Sequence, residues 1–214
     1  WELHTPEPML DVRFFHNPRF SAANAAVTLT MFGLFGSLFL MTQWLQFVKD
    51  YSTLAAGVRV IPFAAGMAIA APLSNKLVHR FGTKLVVSGG LLLVATGLLS
   101  LTTIEMSTPY TQVMVSMLVM AFGMGLTMAP ATESVMGSLP PEKAGVGSAV
   151  NDTTRELGGA FGVAVIGSVV SAAYRSNLAP VTKLLPEQAA EVVKKSLGAA
   201  LQVAARAPIP AQGA

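Results

Sequence analysis

Between Arg19 and Lys49 the chain carries no Asp, Glu, Lys or Arg. As a helix, residues 20–48 are long enough to cross a hydrocarbon layer of ~30 Å. In lipid every backbone N–H and C=O must find its partner inside the protein, which leaves helices or closed barrels as the spanning structures. Four more apolar stretches follow, separated by short loops that carry charge or proline. The composition fits this reading, with 52% hydrophobic and 12% charged residues, against about 25% charged in an ordinary soluble domain. Too few charges remain to coat a water-facing globule. The expected fold class is therefore all-α, a polytopic membrane helix bundle.

The net charge of +3 comes from Lys and Arg at the ends of apolar stretches, without the basic, aromatic-interleaved patch of a nucleic-acid binder. With no cysteine the chain lacks disulfides and thiolate metal ligands. His4, His16 and His79 are isolated, and neither HExxH nor GxSxG occurs. No enzyme activity, metal or cofactor is expected. The chain starts at Trp1 with no basic-then-apolar leader and is expected to be part of a longer one.

Residues 1–19, with Pro6, Pro8 and Pro18, read as a juxtamembrane lead. Spans are expected at about 20–48, 55–78, 84–103, 109–138 and 142–174. Pro62 and Pro72 interrupt the second, a break that suits a transport path better than a simple anchor. The uncharged part of the fifth, residues 157–174, is only about 27 Å long as a helix, so Asp152, Arg155 and Glu156 fall at the interface or in a protein-lined cavity. Residues 175–214 form a loop or tail outside the bilayer. Pro186 can open an amphipathic helix there, with Val193, Leu197, Leu201 and Ala204 on one stripe that lies on the membrane or on the protein. Arg13, Arg19, Lys76, Arg80, Lys84 and Lys143 collect on alternate loops, which the positive-inside rule assigns to the cytoplasm, leaving the tail outside.

Small residues recur at four-residue spacing: Ala121, Gly125 and Ala129 in the fourth span, Ala160, Ala164, Ser168 and Ala172 in the fifth, with Gly158 and Gly162 as a GxxxG pair. Such faces let helix backbones approach closely, either as static packing or as surfaces that rock in alternating access. Folding the last hairpin about Pro140 and Pro141 brings Glu133 to the depth of residues 149–152, while Asp152 and Arg155 share a helix face. One charge cluster is expected. Desolvation there favours a protonated carboxyl, so Glu133 and Asp152 are candidates for proton coupling, the plain alternative being an interfacial ion pair. Arg155 is expected to hold structure or a gate. In the first span Phe39, Gln43 and Gln46 combine an aromatic face with amides that have no partner in hydrocarbon, and are candidates for contacting a lipophilic or cationic small molecule. Such Phe side chains also simply face lipid.

The loop Leu77-Val78-His79-Arg80-Phe81-Gly82-Thr83-Lys84, following a proline-interrupted helix, resembles the signature loop of the major facilitator superfamily. The segments 57–62 and 140–162, the latter containing Asn151-Asp152-Thr153-Thr154-Arg155-Glu156-Leu157-Gly158-Gly159, resemble the second half of its 14-helix drug:proton antiporters. Asn75 and His79 depart from the signature, which usually has Gly and Asp there, so the Asp-centred relay does not carry over. Arg80, Gly82 and Lys84 do, as the cytoplasmic loop and hinge. The resemblance implies five helices of a six-helix half-domain, with the last helix and the entire first half missing from this chain. It further implies a multi-pass protein of the plasma or bacterial inner membrane, exchanging a lipophilic or cationic small-molecule substrate for protons by alternating access. The principal coupling acids can lie in the missing half. Rival readings are a uniporter or nutrient symporter on the same scaffold, or a non-transporting membrane interaction subunit.

Overall fold

Asn17 and Pro18 start the first long helix, the Asn17 side chain accepting the Arg19 N–H at 3.0 Å and Pro18 occupying a position where its missing donor costs nothing. In the computed structural model, which describes residues 12–182, 185–194 and 196–206, this helix α1 runs Pro18–Gln43 and continues as a π-helical turn over Trp44–Val48. The turn closes with the Lys49 N–H on the Trp44 carbonyl. Helix α2, Thr53–Phe81, is capped by the Ser52 hydroxyl and ends at Gly82, whose N–H bonds the Val78 carbonyl. Its φ of +81° is one that side-chain-bearing residues avoid, which lets α3, Thr83–Leu101, start at once. Helix α4 spans Tyr110–Met136 and a 3-10 turn at Pro141–Lys143 leads into α5, Ala144–Thr182. Two short helices follow, α6 Glu187–Val193 and α7 Leu197–Arg206. No strand occurs among the described residues.

Three features depart from the sequence expectation. Helix α2 passes unbroken through Pro62 and Pro72, since packing against neighbours can compensate for a lost hydrogen bond. Helix α5 continues beyond residue 174 to Thr182, through Pro180: polarity ends an apolar span, not a helix. The single stripe expected in the tail is divided by a break after Val193, which is buried, while Leu201 is exposed. The tail rests on the bundle, the Tyr174 hydroxyl donating to the Val193 carbonyl at 2.9 Å and Phe47 lying beside Gly198. Residues 1–11 of the expected lead, and 183–184, 195 and 207–214 of the tail, lie outside the described residues.

Helix α4 is the hub, packed against α3, α2 and α1, and α5 lies along α1. Met41, Leu45, Phe63, Val94, Val113, Met117, Met120 and Met124 form the main core. Buried hydroxyls turn back onto their own helix, as Thr30 does to the Ala26 carbonyl and Thr127 to that of Gly123. Outward-facing positions are oily instead, with Leu54 80%, Leu92 69% and Val169 63% exposed. Among the described residues five helices are long and apolar enough to cross a membrane. Apolar side chains outside and small polar ones inside suit lipid as the solvent, and the chain is a multi-pass membrane protein.

Candidate functional site

The start of α1, the end of α4 and the start of α5 meet around Phe20, Ala23, Val135 and Val150. Just inside this apolar plug lies a polar joint. Asn24 of α1, 4% exposed, donates to the Phe20 carbonyl at 2.9 Å and accepts from the Thr154 hydroxyl of α5 at 3.2 Å. Arg155, half-buried, donates from Nη2 to the Thr132 hydroxyl of α4 at 3.0 Å. The joint thus ties three helices by neutral partners. Asp152, Glu156 and Glu133 are exposed, and none lies within ion-pair distance of Arg155. The expected charge cluster is not formed in this conformation, because Arg155 turns towards α4 and Thr132.

At the opposite end a second polar assembly closes the α1–α2 and α3–α4 connections. The Arg59 guanidinium stacks 3.7 Å from the Tyr51 ring centroid and 5.7 Å from that of Tyr110, and it bonds the Ala55 carbonyl. Tyr110 returns its hydroxyl to the Arg59 carbonyl at 2.7 Å. Lys49 lies 5.0 Å over Trp44 and reaches the Met106 carbonyl at 2.8 Å. Partly exposed cation–π contacts of this kind contribute about 0.5–1 kcal/mol each.

Between α1, α3, α5 and α7 near that end runs a cleft of about 620 Å³, within the range of small-molecule sites. Its walls include Leu40, Trp44, Leu98, Val165 and Val169, with the Gln43 amide as a polar group and no charged side chain. Phe39 instead borders a shallow groove with Gly167, Ser168 and Arg175, on the other flank of α5. Gln46 lines neither hollow. Phe39, Gln43 and Gln46 are therefore not gathered into one pocket, partly because the π turn beginning at Trp44 rotates Gln46 away from an α-helical register.

Residues 4–163 match the sequence profile of the Major Facilitator Superfamily. The chain belongs to the major facilitator superfamily. Among curated relatives, the multidrug efflux pump LfrA of Mycolicibacterium smegmatis is 33% identical over 94% of this chain and 40% of its own length. The methyl viologen resistance protein SmvA of Salmonella typhimurium is 32% identical over 99% of this chain and 42% of its own length. The multidrug resistance protein Stp of Mycobacterium tuberculosis is 33% identical over 84% and 33% respectively. The chain thus spans only about two-fifths or less of each of these relatives.

Within this superfamily chain, the signature-like loop is exposed: Arg80, Gly82 and Lys84 face outwards and Arg80 lies 5.5 Å over the Phe81 ring. A Cβ at Gly82 would meet nothing within 4 Å, so its backbone angle is the reason for glycine there. Gly158 sits against the α1 backbone, where a Cβ would be 2.5 Å from the Thr28 carbonyl oxygen, and Gly162 abuts the Phe32 carbonyl. Gly125 abuts α2 at Ala70. The stripe Ala160, Ala164, Ser168 and Ala172 is exposed instead.

Sequence reasoning missed the Asn24–Thr154 bond and the full Arg59 stack. It also missed the seam of α3 and α4, where Cβ atoms at Gly97 and Gly123 would lie 2.7 Å from Met120 Cβ and 2.5 Å from the Gly90 carbonyl oxygen. Asn24 carried a usable signal, an amide in a charge-free span, as did the paired Gly89-Gly90 with Gly97 seven residues on.

Proposed function

We propose that this chain supplies most of the C-terminal helix bundle of a secondary transporter that exports lipophilic or cationic compounds in exchange for protons, by alternating access. The reading rests on its likeness to proteins named for multidrug efflux and resistance, extending over nearly the whole chain. In this reading the branch is the 14-helix drug:proton antiporters, and the missing partners are the first half and a last helix. The loops bearing Arg80, Lys84 and Lys143 face the cytoplasm.

Glu133 and Asp152 are the proposed proton-linked acids, and Arg155 the residue that holds structure or a gate. Phe39, Gln43 and Gln46 are the proposed substrate contacts. Gln43 has two candidate partners in its cleft, a lipophilic substrate or a further helix packed on α1 as α3 packs on α4. Arg80, Gly82 and Lys84 form the cytoplasmic hinge, with Gly125, Gly158 and Gly162 permitting close helix contact as the two states exchange.

The test is transport by the full-length protein in proteoliposomes. An imposed proton gradient should drive accumulation of a lipophilic cationic dye against its concentration gradient, and collapsing the proton gradient should abolish it. Downhill movement of a small solute, with no dye pumping under a proton gradient, would instead favour a uniporter. Asp152→Asn is expected to weaken proton-driven efflux roughly tenfold or more while leaving dye binding near wild type, the scale of losing one positioned proton carrier. Unchanged efflux would remove Asp152 from coupling.

A further inference from the structure

Two buried polar atoms in the joint of α1, α4 and α5 have no hydrogen-bond partner, Oδ1 of Asn151 and Nε of Arg155. Asn151 is 5% exposed. The two residues are four apart on α5, so they occupy one helix face with Cβ atoms roughly 5–6 Å from each other. Arg155 cannot simply fold back to close the gap while its Nη2 remains bonded to Thr132 on the neighbouring helix. The result is an acceptor and a donor one turn apart, both removed from solvent. Leaving either unpaired costs ~1–3 kcal/mol.

We infer that Asn151 and Arg155 form a buried water-binding site. One water accepts from the Arg155 Nε–H and donates to Asn151 Oδ1 through two bonds of ordinary length, ~2.8–3.0 Å, a span that suits side chains one helical turn apart. Buried waters are stable where they find two to four polar partners, and this joint is polar on several sides, with Thr132 and the Asn24–Thr154 pair nearby in the same three-helix seam. Turning the Asn151 amide over would put an N–H beside the Arg155 N–H, and a single water would still accept from both.

The site has a structural consequence. A half-buried guanidinium with no carboxylate in ion-pair distance is costly, and hydration of its inner edge offsets part of that cost. Helix α5 is then joined to α4 through the Thr132 hydroxyl, with the water bracing the guanidinium from within α5, contacts that break and re-form more readily than an ion pair locked between buried charges.

The sign of one substitution separates a hydrated joint from a dry one. In the full-length protein in nanodiscs, Asn151→Leu fills the water's position and strands the Arg155 Nε–H, and it should lower the thermal midpoint by about 3 °C or more. Were Oδ1 a dry, unpaired acceptor, the same change would remove an unfavourable group and raise the midpoint, overturning the inference. Asn151→Asp keeps an acceptor at the same place and sets a negative charge opposite the guanidinium across the same water, so its midpoint should equal or exceed wild type. A midpoint as low as that of Asn151→Leu would contradict the proposed geometry.

Should Asn151→Leu fail to fold, the wild-type protein decides. A structure of the full-length protein at a resolution that resolves ordered water should hold one solvent peak between Nε of Arg155 and Oδ1 of Asn151. A direct bond between them, or a protein atom in the gap, would overturn the site.

Discussion

Helices α4 and α5 are about equally apolar and both exceed spanning length, yet 61% of the most apolar window of α4 is buried against 17% of that of α5. The difference lies in how small residues are arranged around each helix. Helix α4 carries Gly123 and Gly125 on separate faces and meets α3 at one and α2 at the other, so neighbours close on it from several directions. Helix α5 meets backbone closely only on α1, at Gly158 and Gly162 with Gly159 against Phe35, and Gly147 meets side chains at the end of α4, while Leu157, Phe161, Val165 and Val169 stay exposed. In lipid, where apolar area alone gives no reason for two helices to meet, small residues decide which helix becomes the centre.

Gly123→Val should disturb the central position of α4 most. Its Cβ would lie 2.5 Å from the Gly90 carbonyl oxygen and 2.7 Å from the Val94 nitrogen, both backbone atoms that cannot turn aside. A loss of about 3 kcal/mol or more is expected, read as collapse of the monodisperse peak in fluorescence-detected size exclusion. Normal folding of this variant would deny α4 its central place. Gly158→Val should come next, with the Thr28 carbonyl oxygen only 2.5 Å from its Cβ. About 2 kcal/mol is expected, because α1 is the main partner that must shift. A midpoint unchanged in thermal unfolding would mean that α5 is held by something other than this seam.

Arg59→Gln sharpens the contrast by loosening the ends of α2 and α4 without touching α5. Removing the Tyr51 stack and the bond to the Ala55 carbonyl should cost about 1–2 kcal/mol. The check is a thermal midpoint about 2–6 °C lower, relieved in part by Arg59→Lys. The smallest stability effect is expected from Ala164→Leu on the exposed stripe of α5, within about 0.5 kcal/mol of wild type. If this stripe borders the transport path, the same variant should reduce efflux in the vesicle assay despite its normal stability.

The helices were legible from the sequence because an uncharged run such as 20–48 leaves the backbone no other way through lipid. The end of α5 was not, since Arg175 and Asn177 mark where hydrocarbon should stop, and a helix can continue into water. Gly158 and Gly162 announced a close contact by their spacing but could not name α1 as the partner. Arg155 stood out as a charge beside an apolar run. Its bond to Thr132 depends on the register of α4 against α5, which no periodicity within either helix encodes. The same limit hid the Asn24–Thr154 bond, whose members are 130 residues apart. Residue type alone singles out Phe39, Gln43 and Gln46, and it cannot show that α5 lies between the first two or that the π turn carries the third away.

The absence of native cysteine in this chain permits a direct measurement of threading. Single cysteines placed at Gly82, Lys143, Tyr51 and Met106, in a full-length protein otherwise free of cysteine, can be probed with a membrane-impermeant maleimide on intact cells and on inverted vesicles. Positions 82 and 143 should label from the cytoplasmic side alone, and 51 and 106 from the opposite side alone. Labelling of all four positions from one side would contradict a bundle that crosses the bilayer five times.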